Sequence, residues 1–166
     1  MKKELEKIIK HIVDFKELAT IEDIETTSTI TLIMKVAGED YGRIVGAKGR
    51  TIEMLKDLID AYSDIPLVEK NHRLILEDPQ TTSWGRRESF KANPEWKPSL
   101  VQEDLSNFIK LFGEVELSVI DTGTQIIFEC IEGGNNYMDK RVKETITFLT
   151  MAMCKGYGRN AVLDFC

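Results

Sequence analysis

Apolar residues fall at helical spacing first. Leu5, Ile8, Ile9, Ile12 and Val13 make one stripe, and this predicts an amphipathic helix over residues 2–17. Ile21 and Ile24 then suggest a short strand, residues 26–29 a turn, and Ile30, Leu32, Met34 and Val36 alternate as a strand with one buried face. Together they predict a hairpin. Glu39 and Asp40 can open a short helix, a glycine-rich stretch follows at 42–50, and Ile52, Leu55 and Ile59 set the inward face of a helix over 51–62. Asp64, Ile65 and Pro66 end that helix, and Leu74 and Leu76 mark a closing strand.

The order recurs in the second half. Val101, Leu105, Phe108, Ile109 and Phe112 form a helical stripe that Gly113 can cap, and Val115, Leu117 and Val119 alternate ahead of a turn at 121–124. Ile126, Phe128 and Cys130 alternate in turn, Val142, Ile146, Leu149 and Met153 mark another helix, and residues 161–165 a last strand. Thr51-Ile52-Glu53-Met54-Leu55 also resembles Thr145-Ile146-Thr147-Phe148-Leu149 at the corresponding place, so internal duplication is the preferred explanation. Phe148, Met151 and Met153 lie beyond the main stripe of the later helix. Burial on more than one side, as at a lobe or subunit contact, and a thicker core within one lobe are both open.

The stretch Gly42-Arg43-Ile44-Val45-Gly46-Ala47-Lys48-Gly49-Arg50 holds three glycines and three cations with no acid. Gly46 and Gly49 bracket Ala47 and Lys48, so the main chain can turn tightly and approach a phosphate unobstructed by Cβ atoms. A helix begins directly afterwards, and its free amides favour an anion. Two common phosphate motifs do not fit. Counted from Gly42, a Walker loop would require glycine where Ala47 stands and a hydroxyl where Gly49 stands. Glycines at 42, 46 and 49 also miss the dinucleotide fingerprint.

Residues 42–52 resemble the signature of KH domains. Val45 occupies the Ile/Val position that ends a helix, Gly46-Ala47-Lys48-Gly49 is the Gly-x-x-Gly loop, and Lys48 is its basic residue. A helix and a strand ahead of the core make the order similar to the prokaryotic type II arrangement and to small bacterial KH-domain RNA-binding proteins. The resemblance covers residues 1–78. It implies an α+β fold of order α-β-β-α-α-β in the first lobe, with a three-stranded sheet covered by helices on one face, and a second, degenerate KH-like lobe over 98–166. That lobe has Glu132-Gly133-Gly134-Asn135-Asn136-Tyr137 in place of a Gly-x-x-Gly loop.

The resemblance further implies that the loop grips single-stranded RNA, with Lys48 as the nearest charge and Ile44, Val45 and Ile52 shaping an apolar floor; a core role that seats the helices on the sheet is equally open for Val45 and Ile52. Arg43 and Arg50 are candidate phosphate contacts or partners for Asp40, Glu53 or Asp57. Tyr41 is a candidate for stacking a base or for packing.

Residues 79–97 lack periodicity and carry both tryptophans, so they read as a linker. Trp84, Arg86, Arg87, Phe90 and Lys91 interleave aromatic and basic groups, which suits either nucleic-acid contact or pinning of the connector. Lys155, Tyr157 and Arg159 leave open a contact from the second lobe. Residues 1–78 carry 12 basic and 16 acidic side chains, 79–97 carry 4 and 2, and 98–166 carry 6 and 10. A net charge of −6 argues against a nucleic-acid coat protein, while locally positive segments suit a reader of short single strands.

With 42% apolar residues over 166 positions, the chain is expected to be a soluble, cytoplasmic protein with no membrane association. Three widely spaced cysteines, Cys130, Cys154 and Cys166, suggest reduced thiols rather than disulfides or zinc. Neither His11 nor His72 assembles a catalytic set, so no enzyme activity, cofactor or metal is expected. The leading expectation is a regulatory or RNA-assembly module, aided by a homodimer partner or another RNA-binding protein. The alternative is an interaction adaptor whose KH-like lobes serve as a docking or dimerisation scaffold without RNA.

Overall fold

The computed structural model describes residues 1–79 and 95–166. It divides into two units. Trp84, Arg86, Arg87, Phe90 and Lys91, singled out in the linker, lie outside the described residues. Among the described residues, no helix is long and apolar enough to cross a membrane.

The first lobe runs α1 (Lys2–Ile12), β1 (Thr20–Glu25), β2 (Thr29–Lys35), α2 (Gly38–Val45), α3 (Arg50–Ser63) and β3 (Asn71–Leu76). This is the expected α-β-β-α-α-β order. The sheet order is β1-β2-β3, with β1 antiparallel and β3 parallel to β2. Leu32, Met34 and Leu74 of the sheet and Leu5, Ile8, Leu55 and Ile59 of the helices are all essentially buried and form the core of this lobe. Burying side chains of this size stabilises by about 1.5–3 kcal/mol each.

The first helix is shorter than the apolar spacing implies. It ends at Ile12 instead of continuing to residue 17, and residues Lys16–Leu18 form only a 3-10 turn. The cause is distant in sequence: the fully buried carboxylate of Asp40 accepts the Asp14 and Phe15 amides at 3.0 and 2.9 Å. Those two bonds draw the backbone out of the helix. At the other end of the lobe, the Ser63 hydroxyl accepts the His72 amide at 2.7 Å and ties the last turn of α3 to β3.

The second lobe runs α4 (Pro98–Ile109), β4 (Gly113–Asp121), β5 (Ile126–Asn136), α5 (Lys140–Lys155) and β6 (Ala161–Phe165). Its sheet order, β4-β5-β6, again pairs an antiparallel hairpin with a parallel third strand. Both lobes are thus three-stranded mixed sheets packed against helices.

Two expectations change here. Gly113 does not cap α4; it begins β4, where an added Cβ would lie 2.9 Å from the Asn135 carbonyl oxygen. The Glu132-to-Asn136 stretch, expected between elements, is strand: Gly113 pairs with Asn136 across a bulge. On α5, Val142, Ile146, Leu149 and Met153 are buried in the lobe's core while Met151 is 51% exposed.

Buried cysteines belong to that core. Burial pushes the Cys130 thiol up to about 11 and the Cys154 thiol up to about 12, so both stay protonated and unreactive near neutrality.

Candidate nucleic-acid interface

The loop is built by its glycines. Helix α2 closes with the Gly46 amide donating to the Gly42 carbonyl at 2.9 Å, and Gly46 adopts φ 76°. A Cβ there would fall 2.2 Å from Oγ1 of Thr51, so no other residue fits without moving α3. Gly49, at φ 74°, meets nothing within 4 Å and needs glycine for its backbone angle alone. Between them Lys48 holds φ 54°, unique among the non-glycine described residues. Such a left-handed residue is uncommon and strained.

Hydrogen bonds within the turn decide which amides are left. Gly49 donates to the Gly46 carbonyl at 3.2 Å and Arg50 to that of Ala47. The Ala47 and Lys48 amides take part in neither bond. Ala47, Lys48 and Arg50 are exposed, and no side chain caps the start of α3. An anion seated there would meet main-chain donors, the helix N-terminus and two cationic side chains.

Beside the loop runs a groove of about 510 Å³, lined by Tyr41 and Val45 from α2, Ile52, Lys56 and Asp60 from α3, and residues 73–76 of β3. Val45 and Ile52, candidates for an apolar floor or for seating the helices on the sheet, both line this groove. The Tyr41 hydroxyl donates to Asp78 at 2.5 Å, and that bond pushes its pKa up. This phenol is anchored with its ring still on the groove wall.

Two expected contacts are placed differently. Ile44 is fully buried and can only support the loop from behind. Arg43 turns toward the end of α1, where its Nη1 donates to the Ile12 carbonyl at 2.9 Å and lies 3.4 Å from Asp14. It closes the C-terminus of α1.

Three groove residues escape a reading of the loop. Lys56 and Asp60 follow Ile52 at i+4 and i+8, so they share its helix face and were detectable by spacing. Arg73 had no comparable signal, because its place depends on β3 lying beside α3.

In the second lobe, α5 starts at Asp139, whose carboxylate accepts the Val142 amide at 2.8 Å and occupies the helix N-terminus itself. No glycine turn precedes it. Tyr157 stacks on Trp96 with centroids 4.8 Å apart, and Arg159 lies 5.9 Å from the same ring while bonding Asp121 at 2.6 Å. Those side chains seat the segment ahead of α4.

A helix-loop-helix with Gly46-Ala47-Lys48-Gly49 at its corner, set on a sheet whose outer strand is parallel, defines a type II KH domain. The family profile described as KhpA/KhpB, KH domain, matches residues 2–65. A protein of Clostridium acetobutylicum called RNA-binding protein KhpA is 32% identical over 77 residues, which are 46% of this chain and 97% of that one. Its namesake from Chlamydia pneumoniae is 41% identical over 77 residues, 46% and 94% of the two chains. That of Chlamydia caviae is 41% identical over 59 residues, 36% and 76%. The chain belongs to the KhpA/KhpB KH-domain family.

Proposed function

We propose that the chain is an RNA-binding protein whose first lobe holds short single-stranded RNA across the loop and the adjoining groove. The observation that carries this reading is the loop itself: Gly46 and Gly49 at positive φ set Ala47 and Lys48 outward, with Lys48 and Arg50 exposed beside them. Relatives of the same lobe are named as RNA-binding proteins, which supports the choice of ligand.

A phosphate sits against the Ala47 and Lys48 amides, with the Lys48 ammonium and the Arg50 guanidinium adding charge. About four unstacked bases lie along the groove, over Val45 and Ile52 and between Lys56 and Arg73. Asp60 supplies an acceptor for base amino groups. Neutralising about three phosphates gives a salt slope near −2 for a single strand. A single site of this size binds near micromolar, about −8 kcal/mol. A second protomer, another RNA-binding protein or the linker raises apparent affinity by linking sites. The role is regulatory or in RNA assembly, without catalysis, in the cytoplasm.

The test is the double substitution A47D/K48D in the full chain. Both positions are exposed, so the thermal midpoint should change little while binding of mixed oligoribonucleotides, read by fluorescence anisotropy, drops by at least about tenfold. Unchanged binding would remove the loop from the interface.

A further inference from the structure

The outward face of the second sheet differs from that of the first. Register sets Glu116 opposite Ile131, Ser118 opposite Glu129 and Ile120 opposite Ile127, and β6 adds Val162 beside Ile127 and Asp164 beside Glu129. Partners across a sheet share a face. This one therefore carries an apolar row, Ile120-Ile127-Val162, next to a polar row, Ser118-Glu129-Asp164, and then Glu116-Ile131. Ile120 is 47%, Ile131 54% and Val162 36% exposed, whereas Phe128 and Leu163 on the other side are buried under the helices.

Charge on this face has one sign. None of these outward positions holds a lysine, arginine or histidine. Among the described residues, no cation pairs with Glu116, Glu129 or Asp164. Glu129 and Asp164 are also register neighbours, and like charges so placed repel. The first sheet resolves the same situation internally. Its outward rows include Arg73 beside Thr31, and Lys35 meets Glu22 at 3.1 Å and Glu77 at 3.9 Å.

We propose that the outward face of β4, β5 and β6 docks a basic, aliphatic-bearing segment of a protein partner. Lysines or arginines of that segment meet Glu116, Glu129 and Asp164, and its branched apolar side chains cover the Ile120-Ile127-Val162 row. Charge selects this occupant. A second copy stacked face to face would present the same acids, and RNA would present phosphates; both are repelled. The proposal is independent of RNA binding by the first lobe.

The probe is a synthetic helical peptide with lysines flanking an isoleucine face, compared with its lysine-to-glutamate counterpart, titrated into the full chain and followed by amide NMR shifts. The lysine peptide should move amides of β4, β5 and β6 and saturate; the glutamate peptide should not. The variant E129K/D164K, at exposed or half-exposed positions, should weaken the lysine peptide by at least about tenfold, and added salt should weaken it in the unaltered chain. The amide spectrum of E129K/D164K should keep the dispersion of the unaltered chain away from the two substituted positions and so report an intact second lobe. In cells, a photoreactive residue at Ser118 should capture a protein through a lysine- or arginine-rich peptide, and E129K/D164K should abolish that capture. Equal binding of both peptides, shifts elsewhere in the chain, indifference to E129K/D164K, or capture of RNA or of a second copy at Ser118 would overturn the proposal.

Discussion

Gly46 and Gly49 share a backbone region but not an environment, and the two should respond differently to alanine. At Gly49 only the dihedral cost applies, about 1 kcal/mol. At Gly46 the added carbon would meet Oγ1 of Thr51 at 2.2 Å, so G46A should lose more than about 2 kcal/mol in urea unfolding. A second residue-scale prediction concerns His72. Burial is the largest influence on its imidazole and holds its pKa below the ordinary 6.5, against a smaller opposing effect of the Lys70 carbonyl. The unfolded chain therefore binds a proton that the folded one resists. This contribution is present above about pH 6.5 and is lost as pH falls through the lower folded value. The thermal midpoint should decline on acidification through that window, and less steeply in H72Q. Glycine positions were legible in the sequence because one residue type alone tolerates that backbone. The partner of Arg43 was not, since the Ile12 carbonyl is 31 positions away and becomes a partner only after folding.

Elements followed the same division. Strand β2 and helix α3 announce themselves through periodicity, because each buries one face against its own lobe. The end of α1 could not be read that way: Val13 prolongs the apolar stripe, and Asp40 overrides it from across the fold. Replacing Asp40 with alanine strands two amides and should cost about 1–3 kcal/mol in denaturant unfolding. It should also slow nothing in RNA release if the loop stays intact, so anisotropy on folded protein separates support from contact. Strand β5 was underestimated because Gly133, Gly134, Asn135 and Asn136 are typical turn formers. Gly133 serves close approach instead, since a Cβ there would lie 2.8 Å from that of Glu114, whereas one on Gly134 would meet nothing within 4 Å.

At the scale of the molecule, each lobe carries its own core, one around Leu32, Met34 and Leu55, the other around Phe108, Phe128 and Ile146. Residues 1–79 and residues 95–166, expressed separately, should each unfold cooperatively in a thermal scan. The doubled topology was visible in the sequence through its repeated order, and the loop through its glycines. The groove was only half visible, because Lys56 and Asp60 share a helix face with Ile52 whereas Arg73 arrives from a separate strand. The lack of a comparable corner in the second lobe follows from β5. Where the first lobe turns through an open corner, the second has zipped the same stretch onto β4 as far as Asn136. Opening an anion seat there would mean unpicking a ladder and evicting Asp139 from the start of α5, a rearrangement beyond the reach of a few substitutions. The two lobes therefore differ in what can be grafted onto them: the first offers a ready-made corner to side-chain changes, whereas the second would need its backbone rebuilt beforehand.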